Sequence, residues 1–146
     1  MKPKYYALIG SLVLPLGGVS WIFVFIGGFS LLYGVLKLLE ELSLYKLKTK
    51  FAYGLLLAIL GGMWARHTLA CCGFDIKRLL FTSILSGTGL YFQYEVYEKM
   101  AKAKGCEELM WGGLLLVIGA ATFWFLVGFI PLVLGVLLIA YAFWKW

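Results

Sequence analysis

Arg66 and His67 have the clearest potential for chemistry in this chain, because they stand side by side inside a long apolar run. Charged or titratable side chains at membrane depth usually mark the path of a substrate, an ion or a proton. The alternative is structural: a helix ends here and the Arg66 side chain extends to the lipid headgroups. The sequence favours the structural alternative. Both residues remain candidates for a substrate or ion path.

Met63, His67 and Cys71 form a second pattern, since their spacing would align a thioether, an imidazole and a thiolate on one helix face. Such soft ligands suit Cu(I). Chance alignment is the favoured explanation, because a helix need not continue into the sequence CCGF. The single histidine also excludes a haem held by two histidines, and we expect no cofactor.

Cys71 and Cys72 are adjacent and could support redox chemistry, although no dedicated partner stands near them in the sequence. We expect no disulfide bond between them and Cys106, because one predicted crossing separates them and places them on opposite sides of a membrane. The sequence contains no GxSxG, HExxH, P-loop or dinucleotide fingerprint. It therefore does not predict an enzyme.

Acidic and basic side chains interleave in the sequence YEVYEKMAKAK, where Glu95 precedes Lys99 and Glu98 precedes Lys102 by one helical turn. Pairs in this order and at this spacing stabilise a helix. The carboxylates could act as acids or bases, but their mixture with lysines favours a solvated face. We predict that this face docks onto a partner.

The composition is that of a membrane protein. Of 146 residues, 63% are hydrophobic and only 14% are charged, outside the usual range for a water-soluble domain. The net charge of +6 would suit nucleic acid only if basic residues alternated with exposed aromatic residues, which they do not. The sequence thus predicts one integral membrane domain whose partner is the lipid bilayer, and no nucleic acid.

The tail from Leu109 to Trp144 contains no Asp, Glu, Lys, Arg or His. As a single helix it would be about 54 Å long, whereas the hydrocarbon layer is roughly 30 Å thick. Gly128 and Pro131 are residues that turn a chain. We therefore predict a hairpin over 107–146 with its turn near 128–131.

The first apolar run is interrupted in the same way. Its sequence PLGG combines a proline and two glycines, which break a helix. This pattern predicts a hairpin over 5–39 with its turn at 15–18. The leg before the turn is too short for a full crossing, so we expect it to be re-entrant or strongly tilted.

Three further segments complete the chain. The segment 40–50 has an apolar and a charged face and is predicted to lie at the interface. Helices are predicted over 51–74 and over 79–104, the second of which extends into the cytoplasm. Small residues at four-residue spacing on the first of these helices predict helix packing and association with other subunits: Gly54, Ala58 and Gly62.

The distribution of Lys and Arg decides between hairpins and single crossings. If both long apolar runs fold back, ten basic residues lie on the cytoplasmic side and three, Arg66, Lys77 and Arg78, lie outside. Single crossings would divide them seven to six. The predicted fold is therefore all-α, a polytopic transmembrane helical bundle with about five full crossings, a short N-terminal leg and both termini cytoplasmic.

Two stretches, PLGGVSWIFVFIGGFSLLYGVLKLLEELSLYK and YEKMAKAKGCEELMWGGLLLVIGAATFWFLVGFIPLVLGVLLIAYAFWKW, share a pattern of glycine-centred turns and helices that end in basic and aromatic residues. In this pattern the chain resembles a family of small archaeal and bacterial membrane proteins known as a domain of unknown function. The resemblance covers over half of the chain. It implies a prokaryotic cell membrane and assigns no functional residues.

Three classes of function remain open. The favoured one is a non-catalytic accessory or assembly subunit that packs with itself or with a larger membrane complex. The second is a small transporter or channel that uses Arg66 and His67 in a polar membrane cavity. The third is a membrane enzyme or redox protein that uses Cys71 and Cys72.

Overall fold

The chain is helical throughout the part that a computed structural model describes, residues 2–73, 75–122 and 129–146. These ranges hold six α-helices, one 3₁₀ turn and no strand, which confirms the all-α prediction. The helices are α1 (Pro3–Val13), α2 (Trp21–Glu41), α3 (Leu47–Cys72), α4 (Ile76–Lys104), α5 (Glu107–Ala121) and α6 (Phe129–Lys145), and the 3₁₀ turn (Leu14–Gly18) follows α1.

Local signals explain where several helices begin and end. The Ser20 hydroxyl accepts a hydrogen bond from the backbone N–H of Ile22, and the Asp75 carboxylate accepts one from the N–H of Lys77 at 3.0 Å. These N-caps satisfy donors that lack a partner in the first turn of a helix. Gly105 ends α4 with a φ of 77°, a left-handed conformation that glycine adopts at little cost.

Consecutive helices pack as antiparallel hairpins. In the first, Gly10 of α1 lies against Leu31 of α2 while Gly34 lies against Ala7, so the two helices run in opposite directions. The other two hairpins also approach most closely at glycines, because a residue without a side chain lets two backbones meet. These close pairs are Gly89 with Gly54 between α3 and α4, and Gly135 with Gly112 between α5 and α6.

The three hairpins close into a ring. Each helix packs against the next in the chain, α4 packs against α5, and α6 packs against α1. Among neighbouring helices of the ring, α2 and α3 have the fewest contacts. The six described helices surround an interior space, and among the residues that the structure describes, side chains fill it at one end of the bundle only.

The filled end also carries most of the charge, and we call it the charged end. It comprises both ends of the described chain and the connections 42–46 and 105–106. Ion pairs hold it together, joining Lys145 to Glu108 at 2.8 Å and linking two pairs of neighbouring elements, Lys48 with Glu40 and Lys50 with Glu95. The opposite end comprises the 3₁₀ turn and the connection after α3.

The hydrophobic core lies in the half of the bundle next to the charged end. Its largest fully buried side chains come from five of the six described helices, α2 to α6. Phe51 packs edge-on against Tyr97 at 5.8 Å between ring centroids, and Tyr97 packs against Phe143 at 6.4 Å. This aromatic column joins α3, α4 and α6, and around it lie Val35, Leu38, Leu39, Met100 and Leu109.

Two predicted segments meet the observed helices at their ends. Helix α2 continues to Glu41 and α3 begins at Leu47, so only a short connection within the segment 40–50 lies outside a helix, and its place at an interface stays a prediction. The turn predicted near 128–131 falls within α6 from Phe129 onward, while Gly128 lies outside the described residues. Pro131 is accommodated because the first turn of a helix does not need its backbone N–H.

Within the described ranges, two helices are long and apolar enough to cross a membrane by length and composition, Trp21–Glu41 and Leu47–Cys71. Only 39% of the apolar window of the first and 28% of that of the second is buried inside the bundle. Helix α6 is apolar but shorter. The outer surface of the ring therefore presents large apolar side chains, among them Phe25, Phe29, Leu56, Ile84 and Leu134.

Candidate ligand-binding cavity

A cavity of about 1350 Å³ lies within the ring between the aromatic column and the opposite end, and it is partly open to the surface. Small-molecule sites in proteins usually measure about 300–1,000 Å³, so this space exceeds the range. All six described helices and the 3₁₀ turn contribute to its wall. Most lining side chains are apolar, for example Leu14, Ile59, Leu69, Leu116, Leu132 and Val136.

The cavity is elongated along the bundle axis. On α4 its lining residues extend from Thr82 to Tyr97. That stretch of helix rises about 22 Å, against roughly 30 Å for the hydrocarbon layer of a bilayer. The aromatic column closes the deep end, since Tyr97 belongs to both the core and the cavity wall.

Helix α4 supplies a polar strip to this apolar wall. At the deep end, the Tyr97 hydroxyl donates a hydrogen bond to the Gln93 side-chain oxygen at 3.4 Å. Nearer the opposite end, the Ser83 side chain is 4% exposed, and its hydroxyl has no hydrogen-bond partner among the described residues. A buried hydroxyl without a partner costs about 1–3 kcal/mol. The oxygen is covered by its neighbours in this rotamer, so a polar group of a bound molecule would satisfy it only after the Ser83 side chain rotates toward the cavity.

Arg66 and His67 lie at the rim of the cavity, because both line it and both are exposed. No ion pair involves Arg66 within the described ranges. The nearest acidic residue in sequence is Asp75, which caps α4 and pairs with Arg78 at 3.6 Å. The rim therefore carries a cation that has no carboxylate partner, and the interior of the cavity beyond it is apolar.

The predicted copper ligands share one helix. Helix α3 continues through Cys72, so Met63, His67 and Cys71 do lie along one face of it. The first two line the cavity, and Cys71 does not. Cys71 is disulfide-bonded and so offers no thiolate in this form. The described part of the chain contains no group of three or more His, Cys, Asp or Glu side chains that could hold a metal ion.

The small residues of α3 are used within the chain. A Cβ atom built on Gly89 of α4 would lie 2.5 Å from the backbone nitrogen of Ala58 and 2.6 Å from the carbonyl oxygen of Gly54. A Cβ on Gly62 would meet no atom within 4 Å, because this residue faces the cavity. Gly61, which the spacing argument passed over, is the residue that meets α4, at Ser86.

The predicted docking face is partly engaged as well. Glu95 pairs with Lys50 of α3, which ties α4 to its neighbour. Glu98 pairs with Lys102 at 3.0 Å along the helix, as the spacing predicts for a helical pair. Lys99 is exposed. Half of this face therefore stabilises the hairpin of α3 and α4, and the other half remains available to a partner.

Cys106 marks a small buried cluster at the charged end. Its side chain donates weakly to the carbonyl oxygen of Ala142 at 3.8 Å and lies 3.6 Å from the Glu108 carboxylate. Burial, followed by the neighbouring carboxylate, raises the pKa of this thiol. Cys106 is a free cysteine, and at the opposite end of α4 from Cys71 it is far from any disulfide partner.

Arg66 and His67 at the rim of the cavity could be selected from the sequence, whereas the polar residues of α4 in the cavity wall could not. Single Ser and Gln residues in an apolar helix resemble ordinary small or polar interruptions, so the sequence alone does not distinguish Ser83 or Gln93. The polar residues at positions 82, 83, 86 and 93 do not recur at a regular helical spacing, because an apolar residue, Leu90, lies between the last two. Only the closure of the ring brings these side chains to one surface.

Comparisons of this chain with family models, with curated proteins and with solved structures find no match. The geometry of the cavity and the distribution of charge are therefore the basis for a functional proposal.

Proposed function

We propose that the protein is a multi-pass integral membrane protein of a prokaryotic cell membrane, with about five full crossings and a shorter N-terminal leg. The low burial of the two longest apolar helices supports this. The core helix of a soluble protein is buried by its neighbours, whereas α2 and α3 direct most of their apolar residues outward, with 39% and 28% buried. In water such a surface would associate or aggregate, and in a bilayer it faces lipid.

The proposed orientation has the charged end in the cytoplasm. Ten of the 13 Lys and Arg residues belong to that end, and the remaining three are Arg66, Lys77 and Arg78. An excess of basic residues in short connections retains them on the cytoplasmic side during insertion. Both termini would then be cytoplasmic, and the connection after α3 would face outward.

Reporter fusions test this topology directly. Green fluorescent protein fluoresces when it is cytoplasmic, and alkaline phosphatase is active when it is exported. We expect fluorescence and no phosphatase activity for fusions after Gly105 and after Trp146, and the reverse for fusions after Gly73. Phosphatase activity at Trp146 would contradict both the orientation and the number of crossings.

Within this architecture, we infer a non-catalytic role in binding a hydrophobic solute, in the class of small membrane carriers. One observation carries the inference: a ring of helices surrounds a cavity of about 1350 Å³ with Arg66 and His67 at its rim. A subunit that served only for assembly would not need such a space, since close packing within the ring would stabilise it better. The accessory-subunit hypothesis stays a prediction, and its small-residue argument weakens because Gly54 and Ala58 already pack against α4.

Filling the cavity tests the binding role. Gly62 lines the cavity and has open space in front of it, so Gly62→Trp should occupy part of the volume. Leu60, on the same helix, is exposed and does not line the cavity, so Leu60→Trp is the matched control. Native mass spectrometry of protein purified in mild detergent should detect a co-purified small molecule on the wild type and on Leu60→Trp, and none on Gly62→Trp. A wild-type protein without any bound molecule, or equal binding in both variants, would exclude the cavity as a binding site.

A further inference from the structure

The opposite end of the bundle has an uncompensated positive charge. Six of the seven acidic residues of the chain, all except Asp75, belong to the charged end or to the helix ends next to it. Asp75 caps α4 and pairs with Arg78, so it does not compensate Arg66. An anion at the rim of the cavity would therefore meet Arg66 without competition from a carboxylate.

Ser83 lies at nearly the same level of the bundle as Arg66. Gly61 of α3 faces Ser86 of α4, and the two helices are antiparallel, so the level of Arg66 corresponds to residue 81 of α4. Ser83 is two residues deeper, which is about 3 Å along the axis. Its hydroxyl is buried and without a partner, and it belongs to the same cavity wall as Arg66. Once the Ser83 side chain rotates toward the cavity that its residue lines, the two side chains would offer a cation and a hydrogen-bond donor to one anionic group.

The remainder of the cavity suits a long apolar chain. Below Ser83 the space continues to the Tyr97 floor between apolar side chains of α1, α5 and α6. Gln93 and Tyr97 at the floor are neutral and hydrogen-bonded to each other, so they do not attract a charged group. The polar part of an amphiphile therefore belongs at the rim and its chain in the interior.

We propose that the cavity binds a single-chain amphiphile with one anionic head, such as a long-chain carboxylate or a monoacyl phosphate. The head lies between the Arg66 guanidinium and the Ser83 hydroxyl, with His67 beside it, and the chain runs along α4 toward Tyr97. This ligand class rests on the proposed solute-binding function. Either a free fatty acid or a monoacyl lipid of the membrane would supply the same chemistry.

Photo-cross-linking tests the ligand class. The probe is a palmitic acid analogue with a diazirine in the middle of its chain, added to the full chain in nanodiscs of zwitterionic lipid. We expect saturable labelling of cavity-lining positions on α3, α4 or α6, located by peptide mass spectrometry. Unlabelled palmitate and lysophosphatidic acid compete in separate arms, and the better competitor identifies the source of the ligand, while palmityl alcohol serves as the uncharged competitor.

Substitutions at Arg66 and Ser83 test the two proposed contacts of the anionic head. Arg66→Gln should weaken labelling by about tenfold or more, because a charge-assisted contact is lost, and Ser83→Ala should weaken it by a smaller factor. Arg66→Lys keeps the charge and should retain most of the affinity. Lys77→Gln removes a charge from the same end without altering the cavity wall, and should leave labelling unchanged. A melting temperature for each variant separates loss of binding from loss of folding.

The outcomes separate this inference from the proposed function. If the alcohol competes as well as the acids and Arg66→Gln binds normally, the anionic class is wrong while the cavity remains a site for apolar solutes. If neither probe nor competitor occupies the cavity in a saturable way, both proposals fall. If labelling is saturable but weakens equally in Arg66→Gln and Lys77→Gln, general surface charge attracts the ligand and the assigned contact is wrong.

Discussion

Glu108 and Lys145 form the ion pair that joins the first turn of α5 to the last turn of α6. Lys145 Nζ lies 2.8 Å from Glu108 Oε1. The hydrogen bond to Lys145 lowers the pKa of Glu108, and the same contact raises the pKa of Lys145. The pair also suits the helix dipoles, since the acid stands at an N-terminus and the base at a C-terminus.

We expect this pair to make stability fall in acid. A carboxyl whose pKa is lowered by folding stabilises the protein above its ordinary pKa of 4.5, and this contribution is lost as the pH falls through the lower, folded-state pKa. The matching contribution of Lys145 persists below its ordinary pKa of 10.5 and is lost only in strong base. Glu108→Gln should therefore lower the melting temperature at pH 7. Between pH 7 and acid, the melting temperature of this variant should fall by less than that of the wild type.

The measurement is a melting temperature in detergent between pH 7 and pH 3.5. Glu107→Gln is the control, because Glu107 is exposed in the same turn of α5. Identical acid profiles for wild type and Glu108→Gln would mean that the pair does not contribute to stability, as many exposed pairs do not.

Cys106 should react slowly with thiol reagents in the folded protein. Its side chain is 5% exposed, burial raises its pKa, and alkylating reagents attack the thiolate. An exposed reference is the double variant Lys102→Cys, Cys106→Ser, which moves the thiol from the connection between α4 and α5 to a solvated position in the last turn of α4. Maleimide labelling followed by mass spectrometry should be at least about tenfold slower at Cys106. Equal rates would show that the charged end opens readily, and unfolding in denaturant should equalise the two.

At the level of the elements, the hairpin of α3 and α4 depends on the close approach at Gly89. A methyl group there would lie 2.5 Å from the Ala58 nitrogen, and backbone atoms cannot yield as the end of a flexible side chain can. We expect Gly89→Ala to reduce the free energy of unfolding by about 1–3 kcal/mol, as for other overpacked sites. Gly62→Ala is the matched control on the facing helix.

The control should behave in the opposite way. A methyl group at Gly62 meets no atom within 4 Å, and replacing glycine by alanine inside a helix stabilises it by up to about 1 kcal/mol. Denaturant titrations of both variants in detergent give the comparison. If both variants lost stability equally, helix propensity or lipid contact rather than the Gly89 approach would determine the effect.

Two adjacent glycines of α3, Gly61 and Gly62, show what can and cannot be predicted from the sequence. Long apolar runs, turn residues and charged interruptions predicted helices, because each of these signals acts within a few residues of the chain. Helix rotation is different: whether Gly61 or Gly62 faces a neighbour depends on the packing of the whole ring, and adjacent positions on a helix point about 100° apart. The polar strip with Ser83 and Gln93 was missed for the same reason, since its members converge only when six helices close.

At the level of the whole molecule, the packing divides the bundle into two unequal halves. The continuous hydrophobic cluster, with Phe51, Tyr97 and Phe143, lies next to the charged end. The opposite half contains the cavity, the 3₁₀ turn and the rim. Fewer buried apolar side chains hold the helices together there than in the core half, so local opening should cost less free energy.

Hydrogen–deuterium exchange should reveal this difference as a gradient along each helix. We expect backbone amides near Leu38, Phe51, Met100 and Phe143 to exchange at least about tenfold more slowly than those of the same helices near the cavity, such as residues 63–70 and 79–84. The long-chain carboxylate probe should slow exchange in the cavity half and leave the core half unchanged, because a ligand protects the regions whose opening releases it. Lys77→Gln provides a charge-matched control, and Gly62→Trp should imitate the ligand by filling its space. Uniform exchange along the helices, with or without the probe, would mean that the cavity does not lower local stability. There would then be no physical reason to expect a ligand to act on this half of the molecule.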